Sequence, residues 1–492
     1  MAQPTITTLG DLKKSGYQSK TVKQELRDNL IDVLKSKKNI FEGIQGYEET
    51  VLPQLQSAIL SKHNIILLGL RGQAKTRIAR LLTSLMDEYV PIVSGSELND
   101  DPFQPLSHFA RTLIEEKGDA TPISWLHRNE RYSEKLATPD VSISDLIGDV
   151  DPIKAANQKL TFADERVIHF GMIPRAHRGL FVINELPDLQ PRIQVALFNI
   201  LQEGDIQVRG FKLRFPLDVQ FVFTANPEDY TNRGSIITPL KDRIESQILT
   251  HYPKTLELSK AITEQEADLS SEQREKIIIP ELISNLVERI ALEARESEYV
   301  DQKSGFSARL TISAYELLHS TIERRMLING EKTGYSRVSD LFNIIPAITG
   351  KIELVYEGEL EGMASVAYHL IGKAIRKEFE LLFPNPEKVK KLQNNPYRLV
   401  LDYFNIGKHL DIDLAFTTKE YQRALNSVPG LASLIDSLDL KLTPDNKFLL
   451  MEFALNGLAE FSQLSRQKID TGMKFQDIMG GINLDMNFDE ED

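Results

Sequence analysis

The sequence predicts an α/β protein, a doubly wound parallel sheet followed by helical domains, and three stretches carry that reading. The first is the apolar run Ile65 to Leu68, which leads into Gly69-Leu70-Arg71-Gly72-Gln73-Ala74-Lys75-Thr76 and then into Ile78, Leu81, Leu82, Leu85 and Met86 at helical spacing. The second is Leu180 to Ile183, ending in Asn184-Glu185, and the third is Val219 to Thr224, which delivers Ala225-Asn226-Pro227. Short β-rich apolar runs alternating with helical patterns read as strands buried between helices.

Along the chain, residues 1–38 are polar and lysine-rich and read as a loose leader with one helix. Residues 39–254 hold the predicted sheet. Inside them Pro191 opens a helix with Ile193, Leu197, Ile200 and Leu201 on one face, and Gly204 closes it as a left-handed cap residue does. Ile206 to Pro216 reads as a hairpin turning at Arg209-Gly210. From 255 to 383 helical periodicity takes over, as in Pro280 to Ala294 and Leu310 to Leu327, and predicts a helical domain. Phe383-Pro384-Asn385-Pro386 breaks the chain. Residues 384–480 then read as a small, mainly helical domain with Asn446 to Leu464 as its clearest amphipathic segment. Residues 481–492 are an acidic tail with isolated Leu484, Met486 and Phe488.

The first stretch has the Walker A pattern, written here G-x-x-x-x-A-K-T. Such a loop curls successive backbone N–H groups around phosphates, while a lysine neutralises their charge and a hydroxyl holds Mg²⁺. Lys75 and Thr76 fit those two roles, and Ala74 stands where a second glycine is usual. Gly69, Arg71, Gly72, Gln73, Ala74, Lys75, Thr76 and Arg77 form the predicted nucleotide-binding set. At the end of the second strand, Glu185 fits the residue that polarises water, and Asn184 takes the place of a metal-site aspartate. An amide oxygen can hold a metal-bound water, but it brings no charge to offset the cation. Asn226 is a strand-end polar group able to orient the attacking water. In Pro239-Leu240-Lys241-Asp242-Arg243 the arginine stands where it can reach a neighbouring subunit's γ-phosphate.

The order of these motifs resembles an AAA+ ATPase of the magnesium chelatase I-subunit and MoxR branch. Phe170 to Gly179, F-G-M-I-P-R-A-H-R-G, is similar to the chelatase segment G-L-L-A-R-A-H-R-G. Leu146-Ile147-Gly148-Asp149, Thr224 to Glu228 and Leu240 to Arg243 also match, and the resemblance spans about residues 40 to 375. It implies that the helical domain is the lid, that Gly46 and Tyr47 lie near the adenine, and that Asn226 is sensor 1. It also implies Arg243 as the arginine finger and Arg309, after Ser307-Ala308, as sensor 2. Gln158 to Phe170 and Ile206 to Pro216 look like the family's two hairpin insertions.

Composition narrows the alternatives. With no cysteine the chain has no disulfide, thiolate nucleophile or cysteine zinc site, and its nine histidines show no H-E-x-x-H spacing. The net charge of -13 disfavours general attraction to nucleic acid. No run approaches the roughly 18 apolar residues that span a bilayer, and the N-terminus lacks the apolar core of a secretory signal, so a cytoplasmic protein is expected. No G-A-F-T-G-A loop is present. The resemblance implies an ATP- and Mg²⁺-dependent ring, a homo-oligomer of hexameric type, that remodels or activates a protein client carrying a von Willebrand factor A domain. A weakly hydrolysing nucleotide-gated scaffold and a metal chelatase motor subunit are the alternative readings.

Overall fold

The computed structural model describes residues 4–159, 164–207, 214–226, 236–301, 309–390 and 394–478. The chain divides into two compact units, Met1–Tyr252 and Pro253–Asp492. The first is built on five parallel strands: β1 (Ile65–Leu68), β2 (Tyr132–Leu136), β3 (Gly179–Asn184), β4 (Val219–Ala225) and β5 (Ser246–Leu249). Their order across the sheet is β5-β1-β4-β3-β2.

Side chains two apart on a strand share a face, and the apolar runs divide accordingly. Ile66, Leu68, Phe181, Ile183, Phe221 and Phe223 pack with Ile193 and Leu197 of the helix Pro191–Glu203. Ile65, Leu67, Leu180, Val182 and Val222 face the other way, onto Leu55 and Ile78. The three inner strands are buried along their length, whereas β2 and β5 at the edges are half-covered. Both faces are therefore occupied, as the doubly wound reading expects. Among the described residues no helix is long and apolar enough to cross a membrane.

In place of a loose leader with one helix, the described part of 1–38, residues 4–38, is packed and holds two helices. It forms the helices Leu9–Lys14 and Val22–Ser36, and the second sends Val22, Leu26 and Leu30 into the core beneath β1. Glu25, on the same helix and 3% exposed, takes both ends of the Arg131 guanidinium at 2.7 and 2.6 Å. A bidentate pair of this kind is costly to break, since either partner left alone is a buried charge.

At the predicted hairpin, Asp205–Gln207 pairs antiparallel with Arg214–Pro216; the expected turn at Arg209-Gly210 lies outside the described residues. Of the other insertion, Ile168–Phe170 pairs with Gly148–Val150, and residues 160–163 lie outside the described residues.

The second unit is mainly helical. Glu281–Glu296, Arg309–Asn329, Met363–Leu382 and Pro444–Glu460 are its longest helices, with a three-stranded antiparallel sheet of Leu410–Asp413, Gly472–Gln476 and Ser465–Ile469. The sequence reading separates this part at Phe383, but one hydrophobic core runs from Ile277 to Phe475. Phe383 stacks on Phe379 at 4.7 Å, Phe379 meets Phe453 at 6.1 Å, and the Tyr397 hydroxyl donates to the Pro384 carbonyl. The proline-rich break is thus a turn inside one core. The acidic tail from 481 lies outside the described residues.

Candidate functional site

The C-terminal ends of β1, β3 and β4 lie side by side and carry the polar residues singled out in the sequence. The register pairs Leu68 with Ala225, and the Gly69 N–H donates to the Ala225 carbonyl at 3.1 Å, so the loop starts hard against the β4 end. Gly72 has φ +76° and Ala74 φ +56°, both in the left-handed region. Ala74 therefore adopts the backbone of the glycine it replaces, a conformation in which a Cβ is strained. Lys75 then opens the helix Lys75–Leu81; it is 7% exposed, and its ammonium donates to the carbonyls of Gly69 and, at 2.9 Å, Leu70.

The loop is fixed from behind by the end of β5. Thr250 donates its N–H to the Leu68 carbonyl at 2.7 Å, and a Cβ on Gly69 would collide with the Thr250 hydroxyl and the Gln73 amide oxygen. Tyr47, following Gly46 at φ +80°, places its hydroxyl 3.1 Å from the Gln73 carbonyl and 2.9 Å from that of His251. Burial pushes the Tyr47 phenol up to about 12, so it stays a neutral donor. Thr50 and His251 Nε2 are 2.8 Å apart, tying the same corner together.

Asn184 lies at the centre of the strand ends and is 8% exposed. Its Oδ1 accepts from the Thr224 hydroxyl at 3.1 Å and stands 3.5 Å from the Thr76 hydroxyl. Its Nδ2 donates to Glu134 Oε1 at 2.5 Å. Glu134 is on β2, whose register sets Leu136 against Asn184. Its other oxygen accepts from Tyr132 at 2.8 Å and from Arg80 at 2.9 and 3.2 Å. Burial opposes the charged form of Glu134, but the hydrogen bonds from Arg80, Tyr132 and Asn184 outweigh it and hold the carboxyl below the ordinary range. Glu134 was not singled out in the sequence. In Tyr-Ser-Glu-Lys-Leu it sits on an edge strand without an apolar run, so nothing marks it as neighbour to the second motif.

Glu185 follows at φ +55°, ψ +50°, a left-handed backbone that aims it away from the strand direction, and its N–H donates to Thr224 Oγ1 at 3.2 Å. Non-glycine residues held there concentrate at functional sites. Asn226 follows β4 and is 3% exposed. Arg71 and Arg77 are exposed on the loop and helix. Arg243 caps the helix Thr238–Asp242; its guanidinium is 3.1 Å from Asp242 and 5.8 Å from the Phe198 ring centroid, with the side chain 43% exposed. Arg309 begins a long helix of the second unit and is exposed, while Ser307-Ala308 lie outside the described residues. Among the described residues no group of three or more His, Asp and Glu side chains forms a ready-made metal cluster.

Residues 156–248 match the family of the Sigma-54 interaction domain. The chain is 24% identical over 221 residues to the magnesium-chelatase 38 kDa subunit of Rhodobacter capsulatus, covering 44% of this chain and 57% of that protein. To the 38 kDa subunit of Cereibacter sphaeroides it is 24% identical over 226 residues, covering 44% and 60%. The matches thus span less than two thirds of either relative. Among solved structures, the complex between subunits BchI and BchD of magnesium chelatase gives 19% identity, 65% of this chain and 98% of that chain, with a TM-score of 0.33. Over these stretches the chain is similar in sequence to the magnesium-chelatase 38 kDa subunits and to the Sigma-54 interaction domain.

Proposed function

We propose that the chain binds ATP with Mg²⁺ at the ends of β1, β3 and β4 and hydrolyses it in an oligomeric ring to remodel or activate a protein client. The observation that carries this reading is the meeting of two separate motifs, Thr76 beside Lys75 standing 3.5 Å from Asn184, with Asn184 and Glu185 tied together through Thr224. The donors suit the ligands. The glycine-cornered loop and Lys75 fit phosphates, and the hydroxyl and amide oxygens of Thr76 and Asn184 fit a hard cation.

The loop N–H groups and the Lys75 ammonium bind the β and γ phosphates, the ammonium exchanging its bonds to the Gly69 and Leu70 carbonyls for bonds to phosphate. Thr76 and Asn184 would hold Mg²⁺, which when bound would supply positive charge to offset that of the phosphates. Glu185 orients the attacking water and accepts its proton, and Asn226 holds that water from the neighbouring strand. Arg243 is supplied to the next subunit's γ-phosphate, and Arg309 acts as the lid's sensor. The client reading, a von Willebrand factor A domain engaged by a hexameric ring, rests on the resemblance and on the two hairpins. Ala74 and Asn184 favour slow basal turnover that the client stimulates. The chelatase-motor reading shares this site and differs only in the client.

The test is steady ATP turnover together with ATP binding. Wild type turns over, Glu185→Gln binds ATP but does not turn over, and Lys75→Ala does not bind. Equal ATP affinity for Lys75→Ala and wild type would refute the site.

A further inference from the structure

The metal site of a phosphate loop calls for a negative charge where an aspartate usually stands, and position 184 has none. We propose that Glu134 supplies it: the charge of the divalent-cation site is carried by a carboxylate on the neighbouring strand β2 and reaches the site through the Asn184 amide. This rests on the ATP and Mg²⁺ reading above.

The geometry explains both residues at once. Leu136 is the register partner of Asn184, and Glu134, two residues earlier on the same face of β2, reaches along the sheet to the Asn184 amide at 2.5 Å. A carboxylate only accepts hydrogen bonds, so Asn184 must turn its NH₂ toward Glu134 and its oxygen toward the hydroxyls of Thr76 and Thr224. An aspartate at 184 would set two carboxylates against each other. The amide converts that repulsion into a charge-assisted hydrogen bond and polarises its own oxygen toward Thr76, where the cation would sit. The resulting set of hydroxyl, amide oxygen and nearby carboxylate is all hard oxygen, as Mg²⁺ prefers.

Arg80 is the competitor. It holds the far oxygen of Glu134 from a side chain 64% exposed, and so weakly opposes the cation from the solvent side.

The experiment measures Mn²⁺ binding to the full-length protein with ADP by electron paramagnetic resonance, alongside ADP binding in EDTA. Glu134→Gln weakens Mn²⁺ by about tenfold or more, while ADP binding in EDTA is unchanged. Returning the charge in the double variant Glu134→Gln with Asn184→Asp restores Mn²⁺ affinity to near wild type, a rescue that a purely structural role of Glu134 would not give. Arg80→Gln, which leaves the carboxylate intact, tightens Mn²⁺ by about two- to fivefold. Unchanged Mn²⁺ affinity in Glu134→Gln, no rescue in the double variant, or unchanged or weaker Mn²⁺ in Arg80→Gln would each overturn the assignment. Failure of wild type to bind ADP at all would instead refute the nucleotide site itself, so the two failures are separable. If Glu134→Gln does not fold, the Arg80→Gln arm decides alone.

Discussion

The hydroxyl of Thr250 donates to the Gln73 side-chain oxygen at 2.6 Å, behind the first residue of the phosphate loop. Through this bond the end of β5 sets the curvature of a loop whose own sequence is short of glycine. The close approach leaves no room for a side chain at Gly69. Thr250→Val keeps the shape but leaves the buried Gln73 oxygen unpaired, which costs about 1–3 kcal/mol. Its unfolding temperature and its ATP affinity should both fall. Gly69→Ala should be more severe, because the Cβ forces the loop and Thr250 apart. Wild-type nucleotide affinity in Gly69→Ala, by calorimetric titration, would show that the loop is not held from β5.

Ala74 occupies a left-handed backbone at φ +56°. An L-residue there costs roughly 1–2 kcal/mol relative to glycine, more than the backbone entropy that glycine loses on folding. Ala74→Gly should therefore raise the unfolding midpoint of the first unit and strengthen ATP binding. Chemical denaturation of the two proteins side by side is the check. A lower midpoint in Ala74→Gly would mean that the alanine is unstrained.

The three inner strands are legible because strands covered on both faces are almost wholly apolar, as Ile65 to Leu68 and Leu180 to Ile183 are throughout and Val219 to Thr224 is apart from the buried Gln220 and Thr224. The edge strands were not. Tyr132–Leu136 and Ser246–Leu249 are half-covered and carry polar residues, so Glu134 and the approach to Thr250 gave no periodic signal. The N-terminal helix misled through its charges. Val22, Leu26 and Leu30 mark its buried stripe, but Lys23, Arg27 and Lys35 made the segment read as solvated. Phe383 misleads in the opposite sense, since a proline-flanked aromatic looks like a linker until Phe379 and Phe453 pack on it. Chemistry-bearing residues at strand ends could be placed because their motifs are local. Partners from other strands could not, because pairing register is a property of the folded sheet.

His177 is buried and Asp218 half-buried beside it, and the two titrate in opposite senses. The Asp218 N–H donates to His177 Nδ1 at 3.0 Å, and burial, helped by Arg178, pushes the imidazole down to about 4 from 6.5. Burial pushes the Asp218 carboxyl up to about 6 from 3.8, although the Val22 N–H and Arg178 favour its charge. The histidine contribution is complete above pH 6.5 and is lost as pH falls through 4. The aspartate contribution is complete below pH 3.8 and is lost as pH rises through 6. Asp218→Asn removes only the second. Relative to the variant, wild type should gain roughly 1–3 kcal/mol as pH falls from 6 to 4. Denaturation of both proteins across that range measures the difference, and a constant gap would show that Asp218 does not titrate there.

Arg243 is half-exposed at the end of its helix, held only by its neighbour Asp242 and by a distant Phe198 ring among its described contacts, so a partner phosphate can claim it. An exposed pair of this kind is worth little and breaks easily. Arg243→Ala should leave ATP affinity near wild type and cut turnover by about 10³-fold or more, because such an arginine acts on charge that develops only in the transition state. Glu185→Gln should be equally slow for a different reason. In a head-to-tail ring each interface joins one subunit's glutamate to the next subunit's arginine. Mixing the two dead variants in equal amounts therefore makes about one interface in four fully equipped. Turnover should reappear on mixing and vanish again when either variant is replaced by the double variant Glu185→Gln with Arg243→Ala. If the mixture stays as inactive as its components while subunit exchange is verified by fluorescence transfer, Arg243 does not act across an interface.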